Sequence, residues 1–225
     1  SPIVECDGWL YFTTHMANYW AEAKNAYLGA HVLGYELKTG RFRDFGVVKR
    51  RFTIYSAIGV DRERKKLYVH VVPYAQEDKE KDGCHIYRID IPTGRMEDLG
   101  KVVQKGWGAS FWFFIDAEGN CWLTQWSKWG IYGEGGGGHL YRVAAGSGKI
   151  ERFDDVLPKA AMWPDGKLQP ESEQVQRAWS WAAALPDGRR CAFAMGMGAG
   201  KDERLWIFDP RKDIRLAQTK GQDPL

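Results

Sequence analysis

The chain has 225 residues, with 11 tryptophans, 10 tyrosines, 10 phenylalanines and 26 glycines, enough length to bury a substantial core and a composition of aromatic strands separated by tight turns. A net charge of +3, from 32 basic and 29 acidic residues spread along the chain, excludes a nucleic-acid partner, which needs a concentrated Lys/Arg block. No apolar run reaches the roughly 20 residues of a membrane helix, so no membrane partner is expected, and Ser1-Pro2-Ile3-Val4 lacks the charged and apolar regions of a signal peptide; the compartment stays open between cytoplasm and, after signal removal, periplasm or exterior.

In chain order, Ile3 and Val4 match only the end of a strand, and Gly8-Trp9-Leu10-Tyr11-Phe12 is the first clear one. Gly29-Ala30-His31-Val32-Leu33 opens the next, Gly40 marks a turn, and Arg41-Phe42-Arg43-Asp44-Phe45-Gly46 follows. The order then returns: Phe52 to Val60, a turn at Asp61, Lys66-Leu67-Tyr68-Val69, Gly83-Cys84-His85-Ile86-Tyr87, a turn at Gly94, and Arg95-Met96-Glu97-Asp98-Leu99-Gly100. A third pass reads Trp107 to Ile115, Asp116, Asn120-Cys121-Trp122-Leu123, Gly137-Gly138-His139-Leu140-Tyr141 and Gly148. In the fourth, Arg177 to Leu185, Asp187 and Arg190-Cys191-Ala192-Phe193 precede Leu205-Trp206-Ile207-Phe208-Asp209, with Arg204 in the histidine's place.

His31, His85 and His139 thus stand 54 residues apart. Four short strands per period, punctuated by Gly, Asp and Pro turns, predict an all-β β-propeller with four recognisable four-stranded blades of about 50–65 residues. The blades fall at 1–49, 50–104, 105–158 and 159–225, in a single propeller region. A β-sandwich would explain the alternation but not the fixed period. The first blade lacks most of its inner strand, and the polar stretch from Gln218 to Leu225, with Gly221 and Pro224, reads poorly as a replacement. The expectation is part of a larger, about seven-bladed ring, or self-association through the incomplete ring.

The segment from Ile86 through Pro92-Thr93-Gly94 to Leu99-Gly100, with the Lys38-Thr39-Gly40 turn, resembles bacterial propeller repeats that read roughly LYRYDPxTGKxxDLG. The resemblance is to the broad group of YVTN-type, SMP-30-like and oligogalacturonate-lyase-like propellers. It implies the fold far more than a reaction, because one scaffold hosts many functions, and no catalytic set carries over residue by residue.

The longest connections, His15 to Ala30, Val72 to Cys84, Gln125 to Gly138 and Pro158 to Gln176, all fall on one face of such a molecule, and recognition concentrates on loops longer than a hairpin needs. At the axial end of that face the inner strands start with Arg50-Arg51-Phe52, Lys105-Gly106-Trp107 and Gln176-Arg177-Ala178-Trp179. Arg51, Lys105, Trp107, Arg177, Trp179 and, at the end of a second strand, Trp126 form the candidate ligand-binding set. A cation beside an aromatic suits an anionic, partly flat ligand such as an acidic sugar; the competing reading pairs the cations with loop acids such as Glu171 and Glu173. His15, in the register of Trp126, is the candidate proton-transfer group.

Other signals read as structural. The three repeated histidines lie roughly 10 Å outward from the central strands, too far apart to share a zinc ion bound at about 2.1 Å; each imidazole is expected to satisfy backbone groups at the head of its strand. Four cysteines without CxxC spacing argue against a zinc ribbon or c-type haem, and all four are expected as free thiols. The Gly133 to Gly138 run lacks the lysine of a phosphate-binding loop. No cofactor is identified from the residues; the fold relatives would permit a divalent metal. Two functions compete: a propeller that binds a carbohydrate or other small anionic ligand, as a lyase or hydrolase, and a non-catalytic scaffold that holds a protein partner.

Overall fold

The computed structural model describes residues 2–15, 28–55, 57–73, 82–102, 107–109, 113–128, 140–153, 179–185, 187, 191–195, 204–209 and 212; of 107–109, 125–128, 179–184, 191–195 and 204–206 it describes the backbone alone. Aromatic and β-branched runs form antiparallel sheets in chain order. The first sheet is β1 (Val4–Cys6), β2 (Trp9–Thr13), β3 (His31–Glu36) and β4 (Phe42–Val47). In the second, β5 (Phe52–Thr53) and β6 (Ile58–Asp61) both pair with β7 (Lys66–Pro73), followed by β8 (Cys84–Asp90) and β9 (Met96–Val102). The third repeats this with β10 (Trp107–Ala109), β11 (Phe114–Ile115), β12 (Cys121–Lys128), β13 (Leu140–Val143) and β14 (Ile150–Phe153). Three strands of the fourth are described: β15 (Trp179–Ala184), β16 (Cys191–Met195) and β17 (Arg204–Phe208).

The continuous first strands expected at Phe52 to Val60 and Trp107 to Ile115 are each broken in two. Thr53 pairs with Val72 and Ile58 with Val69, so four residues on one strand face two on the other. The excess loops out as a bulge, and the His70 amide donates to Ala57 O at 3.2 Å within it. A second bulge recurs between the third and fourth strands of the first two sheets. Val32 pairs with Gly46 but Leu33 with Asp44, which leaves Phe45 over; Ile86 pairs with Gly100 but Tyr87 with Asp98, which leaves Leu99 over. Gly46 and Gly100 take φ of 97° and 116°, a region that glycine enters without a Cβ penalty. In the third sheet Arg152 stands at the aspartate's position, and Leu140 to Val143 pair with Phe153 to Ile150 without a shift.

Cores form between successive sheets. Cys6, Tyr11, Val32, Ile58, Leu67, Val69 and Ile89 share the first, and Tyr68, Ile86, Phe113, Cys121, Leu123 and Val143 the second. Gly59 permits the second approach: a Cβ there would lie 2.7 Å from the Phe113 ring and 2.9 Å from Ile115. Cys6, Cys84 and Cys121 are buried free thiols, packed as small hydrophobes; the Cys191 side chain lies outside the described residues.

The face with the short turns is tied by cations reaching one sheet forward. Arg43 donates to Ile91 O at 2.6 Å, Arg88 to Gly146 O at 2.6 Å, and Arg64 to Glu118 O at 2.9 Å. Arg64 also holds the Asp61 carboxylate at 3.0 Å. The matching Asp116 accepts the amides of Glu118 and Asn120 and the Trp122 indole N–H, at 3.0, 2.8 and 2.8 Å, so the aspartates read from sequence as turn residues organise those turns.

Candidate functional site

The opposite, long-loop face carries the candidate site, and its best described part lies between the first and second sheets. Phe52 is buried at the start of β5. Arg51, just before it, has φ of 62° and donates its amide to Leu28 O at 3.0 Å; its side chain is exposed. The cation that meets the Phe52 ring is Lys49, whose ammonium lies 4.2 Å from the ring centroid.

Lys49 belongs to a larger cluster. Its Nζ is 2.8 Å from Asp82 Oδ2 and 3.1 Å from His85 Nε2, and Lys101 Nζ is 3.0 Å from Asp82 Oδ1. His85 stands with its ring perpendicular to that of Phe52, 5.9 Å between centroids. Its Nε2 is 2.9 Å from Asp82 Oδ1, and its Nδ1 is 2.9 Å from each Asp98 oxygen. Nδ1–H donates to Asp98; Nε2 donates to Asp82 when protonated and accepts from Lys49 when not. Asp98 also accepts from the Tyr87 hydroxyl and the Gly100 amide, both at 3.0 Å.

Partial burial pushes the Asp82 carboxyl up, but hydrogen bonds from Lys49, His85 and Lys101 outweigh it and hold the group well below the usual carboxylate range. Asp98 is lowered in the same way, by His85, the Gly100 amide and Tyr87 against its own burial. The Tyr87 phenol is raised by burial and by Asp98.

The repeated histidines therefore have a definite partner. His31 Nδ1 lies 2.9 Å from both Asp44 oxygens, and Asp44 accepts the Gly46 amide at 2.7 Å. In both sheets the ring bonds a carboxylate 13 residues on, and that carboxylate holds the amide of the bulge. This corrects the expectation of a direct imidazole–backbone bond. It also engages His31 and His85 separately, each with its own aspartate. His139 lies outside the described residues.

His15 lies at the rim, exposed, with its ring 5.2 Å from that of Tyr55. Desolvation by its neighbours lowers its pKa, which disfavours the charged imidazole. Trp107, Trp126 and Trp179 lie on β10, β12 and β15, with only their backbones described. Lys105 and Arg177 fall outside the described residues. One polar position was missed in the sequence. His70 is fully buried, and neither ring nitrogen has a hydrogen-bond partner among the described residues; burial, with a contribution from His85, pushes it down to about 3. Strand pairing places Thr13, His70 and Thr124 at one register in successive second strands. That polar recurrence inside apolar strands was the available signal.

Among the described residues, no three His, Cys, Asp or Glu side chains are grouped to hold a metal ion. No described helix is long and apolar enough to cross a membrane.

No family model and no curated protein matches the chain. Among solved structures it is similar to a protein of unknown function from Dyadobacter fermentans, at 10% identity and TM-score 0.56 over 94% of this chain and 61% of that one. It is also similar to an oligogalacturonate lyase in complex with manganese, at 12% identity and TM-score 0.50 over 81% of this chain and 46% of that one. A periplasmic gluconolactonase of Pseudomonas aeruginosa aligns at 10% identity and TM-score 0.47, over 96% and 53% of the two chains. The chain thus spans about half the length of the lyase and less than two thirds of the Dyadobacter protein. At these identities the likeness is one of fold: the protein is all-β, built of successive antiparallel sheets, and propeller-like.

Proposed function

We propose that this protein binds an acidic saccharide, or another small anionic ligand, at the axial end of its long-loop face. The supporting observation is the way the inner strands begin. β5, β10 and β15 open with Phe52, Trp107 and Trp179, paired to Pro73, Lys128 and Met195 at the far ends of the second strands. Three successive sheets therefore present an aromatic residue at the same end of the innermost strand, and Arg51, Lys105 and Arg177 precede these residues in the sequence. Aromatic rings offer stacking surfaces for sugar rings, and guanidinium forks match carboxylates. His15, beside Tyr55 on the same rim, is the group that would accept a proton if the ligand is a substrate for lyase or hydrolase chemistry.

The second reading is a non-catalytic scaffold. It is favoured by Lys49, the cation on the Phe52 ring, whose charge is taken up by Asp82 and His85.

Thermal-shift measurements distinguish the two. Acidic oligosaccharides, tested with and without manganese, should raise the unfolding midpoint in a concentration-dependent way while neutral ones of equal length do not, because a ligand stabilises the state that binds it. No response to any acidic oligosaccharide favours the scaffold.

A further inference from the structure

The short-turn face holds a cleft where the second sheet meets the third, on the side away from the proposed saccharide site. Its volume is about 190 Å³, and its lining side chains include four cations, Arg64, Lys66, Arg88 and Arg95, against two carboxylates, Asp90 and Glu97. Drug-sized ligands fill spaces of about 300–1,000 Å³. This one therefore suits a single ion, or one charged group of a larger molecule.

The repeat shows why a cation is left over there. The residue after each turn glycine is basic: Arg41, Arg95 and Lys149. Arg41 Nε lies 2.9 Å from Glu36 Oε2, and Lys149 Nζ lies 3.4 Å from Glu151 Oε1. In the second sheet both equivalent carboxylates are engaged by other cations. Asp90, at the position of Glu36, pairs across the sheet with Lys66 where Glu36 pairs with Trp9, and the Lys66 ammonium and the Thr93 hydroxyl both donate to it. Glu97, at the position of Glu151, accepts from Arg88 Nε and Nη2 at 3.3 and 2.8 Å. Arg95 is exposed, and its guanidinium has no hydrogen-bond or ion-pair partner among the described residues.

Two of its neighbours in the lining also keep unused N–H donors. Arg64 donates through Nη1, to Asp61 Oδ2 at 3.0 Å and to Glu118 O at 2.9 Å, with the exposed Glu63 carboxylate 3.8 Å from the same nitrogen. Its Nε and Nη2 have no such partner among the described residues. Lys66 gives Asp90 one of the three N–H groups of its ammonium. Donors on three separate side chains match a tetrahedral anion with three terminal oxygens better than a planar carboxylate with two. We propose that this cleft binds a phosphate group, with the Arg95 guanidinium as its principal contact and Arg64 and Lys66 beside it.

Titration calorimetry of the whole chain with inorganic phosphate tests this, in a buffer of low ionic strength free of other oxyanions, because salt screens an exposed site. Phosphate should bind saturably. Arg95→Ala, which removes a side chain without a described partner, should weaken binding at least about tenfold, the loss expected of a charge-assisted hydrogen bond. Arg62→Ala, which removes the same charge from an exposed side chain of the neighbouring turn, should leave it unchanged. Methyl phosphate separates two sources of the group: binding as tight as that of phosphate points to a phosphate ester, and weaker binding to the free ion. The proposal is overturned if millimolar phosphate gives no saturable binding, or if acetate binds as tightly. It is equally overturned if Arg95→Ala leaves affinity undiminished, as it would for phosphate held at the long-loop face, or if Arg62→Ala costs as much.

Discussion

His85 Nδ1 lies 2.9 Å from both carboxylate oxygens of Asp98, while Asp98 accepts the amide of Gly100 across a one-residue bulge. Imidazole, carboxylate and bulge form one unit, repeated by His31, Asp44 and Gly46. The two copies differ in exposure: the His85 side chain is 9% exposed and that of His31 36%.

That difference sets the first prediction. His85→Ala should lower the free energy of unfolding by about 2 kcal/mol, because it strips hydrogen bonds from two partly buried carboxylates. His31→Ala should cost less than about 1 kcal/mol, as expected of an exposed pair. Urea unfolding of both variants measures this, and equal losses would contradict the assignment of the larger contribution to the more buried His85 pair.

His70 predicts a pH dependence. Folding holds its pKa at about 3, whereas a histidine in an unfolded chain titrates near about 6.5. Between these values the unfolded chain binds a proton that the folded chain does not, so stability falls as pH falls, by at most about 1.4 kcal/mol per pH unit. His70→Thr, which installs the residue found at Thr13 and Thr124, should flatten the profile between about pH 6.5 and 5. An unchanged slope would place the titrating group elsewhere. Asp82 and Asp98, held below the usual carboxylate range, add a separate loss below about pH 4, as acid protonates the form the fold stabilises.

Two glycines should fail for different reasons. Gly59→Ala forces a Cβ to within 2.7 Å of Phe113 and should cost about 1–3 kcal/mol through overpacking between the second and third sheets. At Gly46 a Cβ meets nothing within 4 Å, but φ is 97°, so Gly46→Ala should cost about 1 kcal/mol from conformation alone. A compensating Phe113→Leu substitution should recover part of the first loss and none of the second, as read from thermal unfolding.

Arg51 separates strain from recognition. Its φ of 62° suits glycine, so Arg51→Gly should leave stability within about 1 kcal/mol of wild type. If Arg51 serves the ligand, the same substitution should weaken binding of an acidic oligosaccharide at least tenfold. Unaltered affinity would remove Arg51 from the site.

The architecture was legible because the 54-residue spacing marks equivalent strands: β3 begins at His31, and β17 begins at Arg204 as the histidine's counterpart. The bulges were not, although Asp44-Phe45-Gly46 and Asp98-Leu99-Gly100 share a pattern that Arg152-Phe153 breaks. A strand's apolar pattern gives its faces but not where the ladder slips by a residue. The Lys49–Asp82–His85 cluster was equally hidden, since it joins residues 33 and 36 positions apart, one of them in the connection between the first and second sheets. Lys49 was not legible as the cation on the Phe52 ring, because it stands three residues before Phe52 in the chain and meets the ring only in the folded connection.

The most direct test of ligand binding at the inner-strand ends is titration calorimetry of the whole chain with an acidic oligosaccharide, comparing wild type with Trp107→Ala and Trp179→Ala. Saturable binding that falls at least tenfold in each variant, with folding intact by circular dichroism, is the predicted result. Binding that is absent in the wild type, or undiminished in both variants, would contradict it.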